Sequence, residues 1–202
     1  MNKGEIRAHF KALLNRTDCS DALADTFIDQ SIARAQRVLR IPPMEKTQTY
    51  NLTASTSTLI IPADFLEIID MYYANTNLTR VPLSKYVEMS QPAESGTPRY
   101  FTREGENIKI YPYPTSGSIS MNYYGQFTEM TADTDENDLA IIASDLITYG
   151  ALGYASDYFL DERGPLFETK FVQFLSELQE QANDAEVSGT VQAMQPTATY
   201  QD

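Results

Sequence analysis

Few side chains in this sequence are suited to nucleophilic or metal chemistry. The chain has one histidine, His9, and one cysteine, Cys19, among its 202 residues. His9 stands at helical spacing beside Phe10 and Leu13, which is typical of a residue on a helix surface rather than of a metal ligand. A lone cysteine in a polar turn cannot form an internal disulfide, which fits a reducing compartment. We therefore expect no catalytic residue, no metal site and no cofactor.

Carboxylates are the abundant reactive group, and four of them form a dense run at Asp133, Asp135, Glu136 and Asp138. The run looks like a calcium loop, but it lacks the turn glycine and the bidentate glutamate that such a loop needs. We interpret it as a solvated loop that also places negative charge at the start of the next helix, where the helix dipole favours it. A carboxylate pair could also hydrolyse a glycosidic bond, and only the separation of the two groups in space would test that alternative.

Charge is distributed unevenly along the chain. Residues 1–127 carry 13 acidic and 13 basic side chains, whereas residues 128–202 carry 15 acidic side chains and only two basic ones, Arg163 and Lys170. The whole net charge of −13 therefore belongs to the last 75 residues. Such a surface repels the phosphates of nucleic acids. It is a solvated helical face, the wall of a channel, or a docking face for a basic partner.

Helical periodicity appears at both ends of the chain. Ser20 is a good N-cap for the second helix, and Pro42 and Pro43 end it. Pro165 suits the first turn of the last helix, because proline has no backbone N–H to leave unpaired there. The predicted helices cover residues 4–14, 20–40, 138–161 and 165–186.

Between these helices, from residue 47 to about residue 127, the sequence has the composition and period of strands. The tripeptide Glu104-Gly105-Glu106 predicts a hairpin. We also expect a single helical turn over residues 62–65, and a short helix over Leu83–Met89 capped by Ser84. The last strand is expected over residues 118–127.

These elements predict an α+β fold. The N- and C-terminal helices form a helical bundle, a β-rich, sandwich-like unit is inserted between them, and an extended C-terminal arm without periodic pattern follows. The expected domains are residues 1–45 for the N-terminal helices, 46–128 for the inserted β-rich domain, 129–186 for the C-terminal helices and 187–202 for the arm.

Short motifs in this order resemble the head-to-tail adaptor (connector) proteins of tailed bacteriophages, of the tail tubular or portal-adaptor type. The resemblance extends from Ser20 to about Glu186, through the long amphipathic segment that begins at Asp138. The motifs are IPADFL at residues 61–66, GTPRYF at 96–101, IKIYPYP at 108–114 and NYY at 122–124.

The resemblance implies a structural protein of the virion, made in the host cytoplasm and placed at the head–tail junction. It would form a homo-oligomeric ring of twelve copies under the portal protein, extend the DNA channel and give tail or nozzle proteins their attachment platform. Double-stranded DNA would pass through without specific binding. No apolar run approaches the ~20 residues of a membrane-spanning helix, so we expect no membrane partner.

The resemblance and the charge pattern together assign two sets of site residues. In such proteins the C-terminal arm reaches the portal, and an acidic wall suits a channel along which DNA must slide without sticking. The candidate portal-binding residues are Val187, Val191, Met194, Pro196 and Tyr200. The candidate channel-facing acidic residues are Asp138, Asp145, Asp157, Asp161 and Glu162.

Two alternatives remain at this point. The chain could be a phage-associated cell-wall hydrolase, because some phage tail parts cut peptidoglycan, or it could be an unrelated protein-binding module. Ring formation distinguishes the adaptor from both alternatives.

Overall fold

A computed structural model describes residues 1–54, 58–91 and 93–188, with side chains through residue 184. The helices are α1 (Lys3–Leu14), α2 (Asp21–Val38), α3 (Leu83–Met89), α4 (Asp138–Ile142), α5 (Ser144–Phe159) and α6 (Gly164–Ser188). The strands are β1 (Glu45–Thr53), β2 (Thr58–Ile60), β3 (Phe65–Tyr73), β4 (Thr76–Asn77), β5 (Thr79–Arg80), β6 (Tyr100–Glu104), β7 (Asn107–Tyr111) and β8 (Ser116–Gly125).

The chain divides into two compact units, and its fold is α+β, as predicted. The helical unit contains residues 1–42 together with the described residues from Met130 onward. The β unit is Pro43–Glu129. The helical unit is thus built from two segments that are far apart in sequence.

A capping side chain precedes each of the first two helices, and the cap at Ser20 was predicted. Asn2 and Glu5 form a capping box at the start of α1, in which each side chain accepts a hydrogen bond from the other residue's backbone N–H. At α2 the Ser20 hydroxyl accepts from the backbone N–H of Leu23, as expected for an N-cap. Arg7 and Asp25 then join the two helices through a bidentate ion pair with N···O distances of 2.6 and 2.8 Å.

The single helix predicted over residues 138–161 is wrong, because the chain breaks at Ala143. The backbone there has φ −146° and ψ 55°, which ends α4, and α5 starts at Ser144. The misleading signal was the apolar stripe from Leu139 through Ile142 to Leu146. Ile142 is exposed instead, and α5 is buried on several sides rather than along one stripe. The last predicted helix is confirmed and continues to Ser188, so it includes the backbone of Val187.

Helix α5 passes close to both α2 and α6 at Gly150. A Cβ atom built there would collide with the Ser31 Oγ of α2 and would lie 2.8 Å from the Phe171 ring of α6. Ser31 is fully buried, and its hydroxyl has no hydrogen-bond partner within the described residues. The unpaired hydroxyl marks how tightly the two helices approach, since there is no room for an acceptor.

The β unit consists of two four-stranded sheets with the orders β1-β8-β3-β4 and β2-β7-β6-β5. The pairings between these strands are antiparallel, except that of β5 with β6. One buried cluster draws on both sheets, so they pack face to face as a sandwich. Its fully buried side chains are Met71, Ile108, Ile110, Ile119 and Met121.

Local details of the β unit differ from the sequence expectations in three places. Residues 62–64 form a turn rather than a helical turn, because the Phe65 N–H donates to Pro62 O and β3 begins immediately. Pro82, not Ser84, precedes α3, and no side chain caps that helix. The last strand begins two residues early, at Ser116. The hairpin between β6 and β7 is confirmed, and Gly105 supplies its positive φ of 64°.

A small polar network fixes the start of β3. The Lys46 Nζ lies 2.6 Å from an Asp64 carboxylate oxygen, and the Tyr123 hydroxyl donates to the other oxygen over 3.0 Å. Burial alone would raise the pKa of Asp64, but these two partners hold it below its ordinary value. Burial and the hydrogen bond to Asp64 raise the pKa of Tyr123 to about 12.

Substitution of Gly150 by alanine should destabilise the helical unit by roughly 1–3 kcal/mol, the usual cost of overpacking a close contact. Gly153→Ala, one turn along the same helix, is the matched control. A Cβ there meets only the Glu168 carboxylate at 3.8 Å, so the better helix propensity of alanine should stabilise the protein by up to about 1 kcal/mol. Urea unfolding measures the free energy of unfolding of both variants. Equal changes would show that the close approach of the helices at Gly150 does not restrict the side chain at that position.

Candidate assembly surfaces

The acidic run lies near the start of the second segment of the helical unit, in a loop whose carbonyl and carboxylate oxygens bind the first helix. The backbone N–H groups of Lys3 and Gly4 donate to the carbonyl oxygens of Asp135 and Asp133, over 3.0 and 2.9 Å. The Arg7 guanidinium also lies 2.6 Å from the Asp133 carboxylate. The loop therefore accepts the unpaired donors at the start of α1, a role that the interpretation as a solvated loop did not include. As that interpretation expected, Asp138 lies in the first turn of the next helix, α4.

Asp135 shapes this loop from within. Its carboxylate accepts hydrogen bonds from the backbone N–H groups of Ala132 and Thr131 and from the Thr131 hydroxyl. These bonds hold the pKa of Asp135 below its ordinary value. The carboxylate of Asp135 thus stabilises the conformation of the loop by accepting hydrogen bonds from the loop's own backbone. In the part of the chain that the structure describes, no three His, Cys, Asp or Glu side chains are grouped so that they could hold a metal ion.

Lys3 anchors the same region from the inside. Its side chain is almost completely buried, and its Nζ donates to Met130 O over 2.8 Å and to the Asp29 carboxylate over 3.4 Å. A buried ammonium group needs such partners, because desolvation of an unpaired charge is costly. Lys3 therefore connects α1, α2 and the segment that returns from the β unit.

Three of the five predicted channel residues are exposed carboxylates on helices. Asp138 lies in the first turn of α4, Asp145 in the first turn of α5, and Asp157 near the end of α5. Twelve residues of helix separate Asp145 from Asp157, which is about 18 Å along the axis and about 120° around it. The structure therefore distributes these charges over the helical unit and does not align them in one row.

Asp161, a fourth channel candidate, is committed to a contact inside the helical unit. Its carboxylate binds the Arg163 guanidinium at 2.6 Å and accepts the Arg163 backbone N–H at 2.9 Å. The same guanidinium donates to the carbonyl oxygens of Leu13 and Leu14, at 3.2 and 3.0 Å, in the last turn of α1. Asp161 thus orients a cation at a helix C-terminus, where the dipole favours positive charge. The hydrogen bonds from Arg163 lower the pKa of Asp161 to about 2.

Glu162, the fifth channel candidate, is exposed in the loop between α5 and α6. Other acidic side chains lie on α6, which the sequence assigned only to the bundle. Glu168 forms a bidentate ion pair with Arg34 of α2 at 2.5 and 2.8 Å, so its charge is compensated. Glu177, Glu180 and Asp184 are exposed farther along the helix and extend the acidic surface.

Exposed apolar side chains are a feature of the helical unit that the sequence analysis missed. Ile141 is 62% exposed on α4, at one end of α5. Tyr158, Leu160 and Leu166 are 63%, 89% and 55% exposed around the opposite end. Large apolar side chains gathered at a surface mark sites of contact with other proteins. The adjacent isoleucines at 141 and 142 could have predicted an exposed apolar side chain, because the buried stripe of one helix cannot include both.

The predicted portal-binding residues Val191, Met194, Pro196 and Tyr200 lie outside the described residues. Val187 is described only by its helical backbone in the last turn of α6. Among the described residues, no helix combines the length and the apolar character needed to cross a membrane.

The fold and its surfaces define a class of protein. The chain combines an acidic helical unit, an inserted β sandwich and exposed apolar side chains in an α+β fold. Residues 1–195 match the family described as SU10 adaptor protein, and the chain belongs to this family of phage head–tail adaptors. No curated protein matches the chain.

The family match confirms the resemblance drawn from the sequence motifs. It supports an adaptor in a tailed-phage virion, which acts at the head–tail junction and assembles with phage portal or tail proteins. It extends beyond the motif-bearing region at both ends of the chain, and it includes residues of the predicted arm.

Asp161→Asn should lower the free energy of unfolding by about 1 kcal/mol, because Arg163 loses its charged partner at the end of α1. The pKa of Asp161 is lower in the folded chain than its ordinary value of 3.8. Its contribution is therefore fully present above about pH 4 and disappears as the pH falls toward 2. The difference in stability between wild type and variant should shrink over this interval.

Glu162→Gln is the matched control, since it removes the same charge from the neighbouring exposed position. It should change stability by less than about 0.5 kcal/mol. Chemical denaturation of both variants at pH 7 and pH 3 gives the comparison. If the two variants behave alike, Asp161 has no special role in holding Arg163.

Proposed function

We propose that this protein forms a ring of twelve copies beneath the phage portal, extends the DNA channel, and provides the platform to which tail or nozzle proteins attach. The observation that carries the proposal is the match of residues 1–195 to one phage adaptor family. Because the match covers nearly the whole chain, helical unit and β unit belong together in this role.

The exposed apolar side chains suit the contacts of a closed ring. In a ring each copy uses two different surfaces, one for each neighbour. Ile141 and Ile142 lie at one end of α5, and Leu160 and Leu166 lie near the other end. A helix of 16 residues is about 24 Å long. The helical unit therefore exposes apolar side chains near both ends of α5, which could serve one neighbour each.

Charge opposes assembly of the free protein. Twelve copies at −13 bring together a charge of −156 (12 × 13). This repulsion is long-ranged at low salt and is reduced as the screening length falls to ~3 Å at 1 M salt. The ring should accordingly form on the portal, whose contacts offset the repulsion, rather than in dilute solution.

An acidic channel wall keeps DNA from sticking, because carboxylates repel phosphates. Asp138, Asp145, Asp157 and Glu162 are the candidates for this wall, while Asp161 is already paired with Arg163. The C-terminal arm, with Val187, Val191, Met194, Pro196 and Tyr200, is the proposed portal-binding segment. The arm is mostly polar and has no periodic pattern, so it is not expected to bury its few apolar side chains within the chain. These apolar side chains would instead contact the portal.

Removal of residues 189–202 should abolish portal binding and leave the fold intact, since α6 ends at Ser188. The thermal midpoint of the isolated protein should change by less than a few degrees, and co-sedimentation with purified portal should be lost. The matched control carries residues 189–202 in scrambled order. It should also fail to bind, and normal portal binding by either variant would contradict the docking role of the arm.

Joint replacement of Asp138, Asp145 and Asp157 by Asn and of Glu162 by Gln should hardly affect monomer stability, because exposed charges contribute little. In assembled particles it should slow DNA ejection, since a neutral wall no longer repels phosphates. Ejection is timed by dye release or DNA fluorescence. Normal ejection would remove the channel role, and peptidoglycan cleavage by the isolated protein that depends on one carboxylate would favour a wall hydrolase.

A further inference from the structure

A groove opens at one edge of the β sandwich. A cavity of about 230 Å³ is lined by residues 65–68 of β3 on one side, and by Arg80, Phe101, Arg103 and Ile108 on the other. An adjoining hollow of about 370 Å³ includes the same two arginines and Leu83. The register of β3 with β8 shifts between Phe65 and Glu67 and again between Ile68 and Asp70. The cavity therefore lies along an irregular stretch at the start of β3. We call this feature the β3 groove.

In the part of the chain that the structure describes, the edge of β3 that faces the groove is not covered by another strand along residues 65–69. β8 pairs with one side of β3, and β4 covers the other side only at Tyr72 and Tyr73. Within residues 1–54, 58–91 and 93–188, no strand pairs with residues 65–69 on that second side. An open edge of this kind accepts an extended peptide as an additional strand.

Two arginines stand opposite this edge on the inner face of the second sheet. The strand register pairs Arg80 with Phe101 and Arg103 with Ile108, so both arginines share the face of these two buried side chains. The Arg103 guanidinium lies 5.2 Å from the centre of the Phe65 ring and donates to Gly105 O. Among the described residues the Arg80 guanidinium has neither an ion pair nor a hydrogen bond.

The chemistry of the groove points to one kind of occupant. Its lining carries two arginines against a single carboxylate, that of Glu67, so it is positive in a chain of net charge −13. The cavity beside Phe65, at about 230 Å³, is smaller than the roughly 300–1,000 Å³ of small-molecule sites. It has room for one apolar side chain between Phe65 and Phe101. Guanidinium groups bind carboxylates through strong, charge-assisted hydrogen bonds.

We propose that the β3 groove binds an extended acidic segment of a partner protein. The segment adds to β3 as an antiparallel or parallel strand, places carboxylates on Arg80 and Arg103, and inserts an apolar side chain into the cavity. Side chains at alternate positions of the segment face the groove. This inference goes beyond the proposed ring, because neither portal docking by the C-terminal arm nor the channel wall requires the groove.

Arg80 and Arg103 could have a different role, because charged side chains beside an open strand edge can prevent that edge from pairing with other chains and aggregating. The two roles differ in their consequences. A protective arginine matters for solubility and not for the capture of a peptide. A binding arginine changes peptide affinity in a protein that remains folded and soluble.

The test uses the full chain and a fluorescein-labelled peptide, acetyl-Asp-Thr-Leu-Thr-Glu-amide, whose acidic and apolar side chains share one face of a strand. Fluorescence anisotropy at low salt measures its affinity. A peptide with both acidic residues replaced by lysine is the charge control. Arg80→Gln and Arg103→Gln should each weaken binding at least about tenfold, in line with the loss of a charge-assisted hydrogen bond.

Lys109→Gln is the matched protein control. It removes one positive charge from the same sheet, at a position between Ile108 and Ile110 that faces away from the groove, where Lys109 pairs with Glu104. It should leave peptide affinity unchanged. Hydrogen exchange should show slower exchange at residues 65–69 when the acidic peptide is bound. Arg80, on the short edge strand β5, can be replaced with little risk to the fold even if Arg103→Gln unfolds the protein.

Three results would overturn the proposal. The acidic peptide binds no better than the lysine peptide, the arginine variants keep full affinity, or the β3 amides exchange at the same rate with and without peptide. Self-association of the free chain that both arginine variants abolish, without any peptide binding, would also overturn it and would assign the groove to a second copy of this chain.

Discussion

The close approach of α5 to α2 and α6 at Gly150 is the contact on which the helical unit depends. The two segments of this unit are separated in sequence by the 87 residues of Pro43–Glu129. They hold together because α5 is buried against helices from both segments. A side chain at Gly150 would force α2 and α6 away from α5. The buried, unpaired hydroxyl of Ser31 is the cost of bringing the helix backbones so close.

The same two segments are also joined by charge. The excess of acidic side chains lies in the second segment, and two arginines of the first segment pair with carboxylates of the second. Arg7 binds Asp133, and Arg34 binds Glu168. Ion pairs therefore compensate part of the acidic surface inside each copy. The carboxylates that remain exposed, such as Asp145 and Asp157, are those available to a channel wall.

Much of the fold could be predicted from the sequence because its signals are local. Ser20 capped the helix that it was expected to cap, and Gly105 formed the expected hairpin. The break at Ala143 could not be predicted, because α5 is apolar on several sides and its stripe runs on from α4 without interruption. The pairing of Asp161 with Arg163 was equally hidden. The same Arg163 guanidinium also donates to the carbonyl oxygens of Leu13 and Leu14, about 150 residues earlier in the chain, and no local pattern indicates that contact. The β3 groove needs sheet order and register, which local patterns do not encode.

The most direct measurement of the proposed role is the mass of the assembly, with and without the portal. Native mass spectrometry or sedimentation of the isolated protein in dilute, low-salt buffer should give a monomer, because the charge of −13 per copy opposes closure of a ring. After addition of purified portal, the complex should contain twelve copies of this chain. A stable ring of the isolated protein in dilute buffer would contradict the account of charge. The absence of any complex with the portal would contradict the adaptor ring itself.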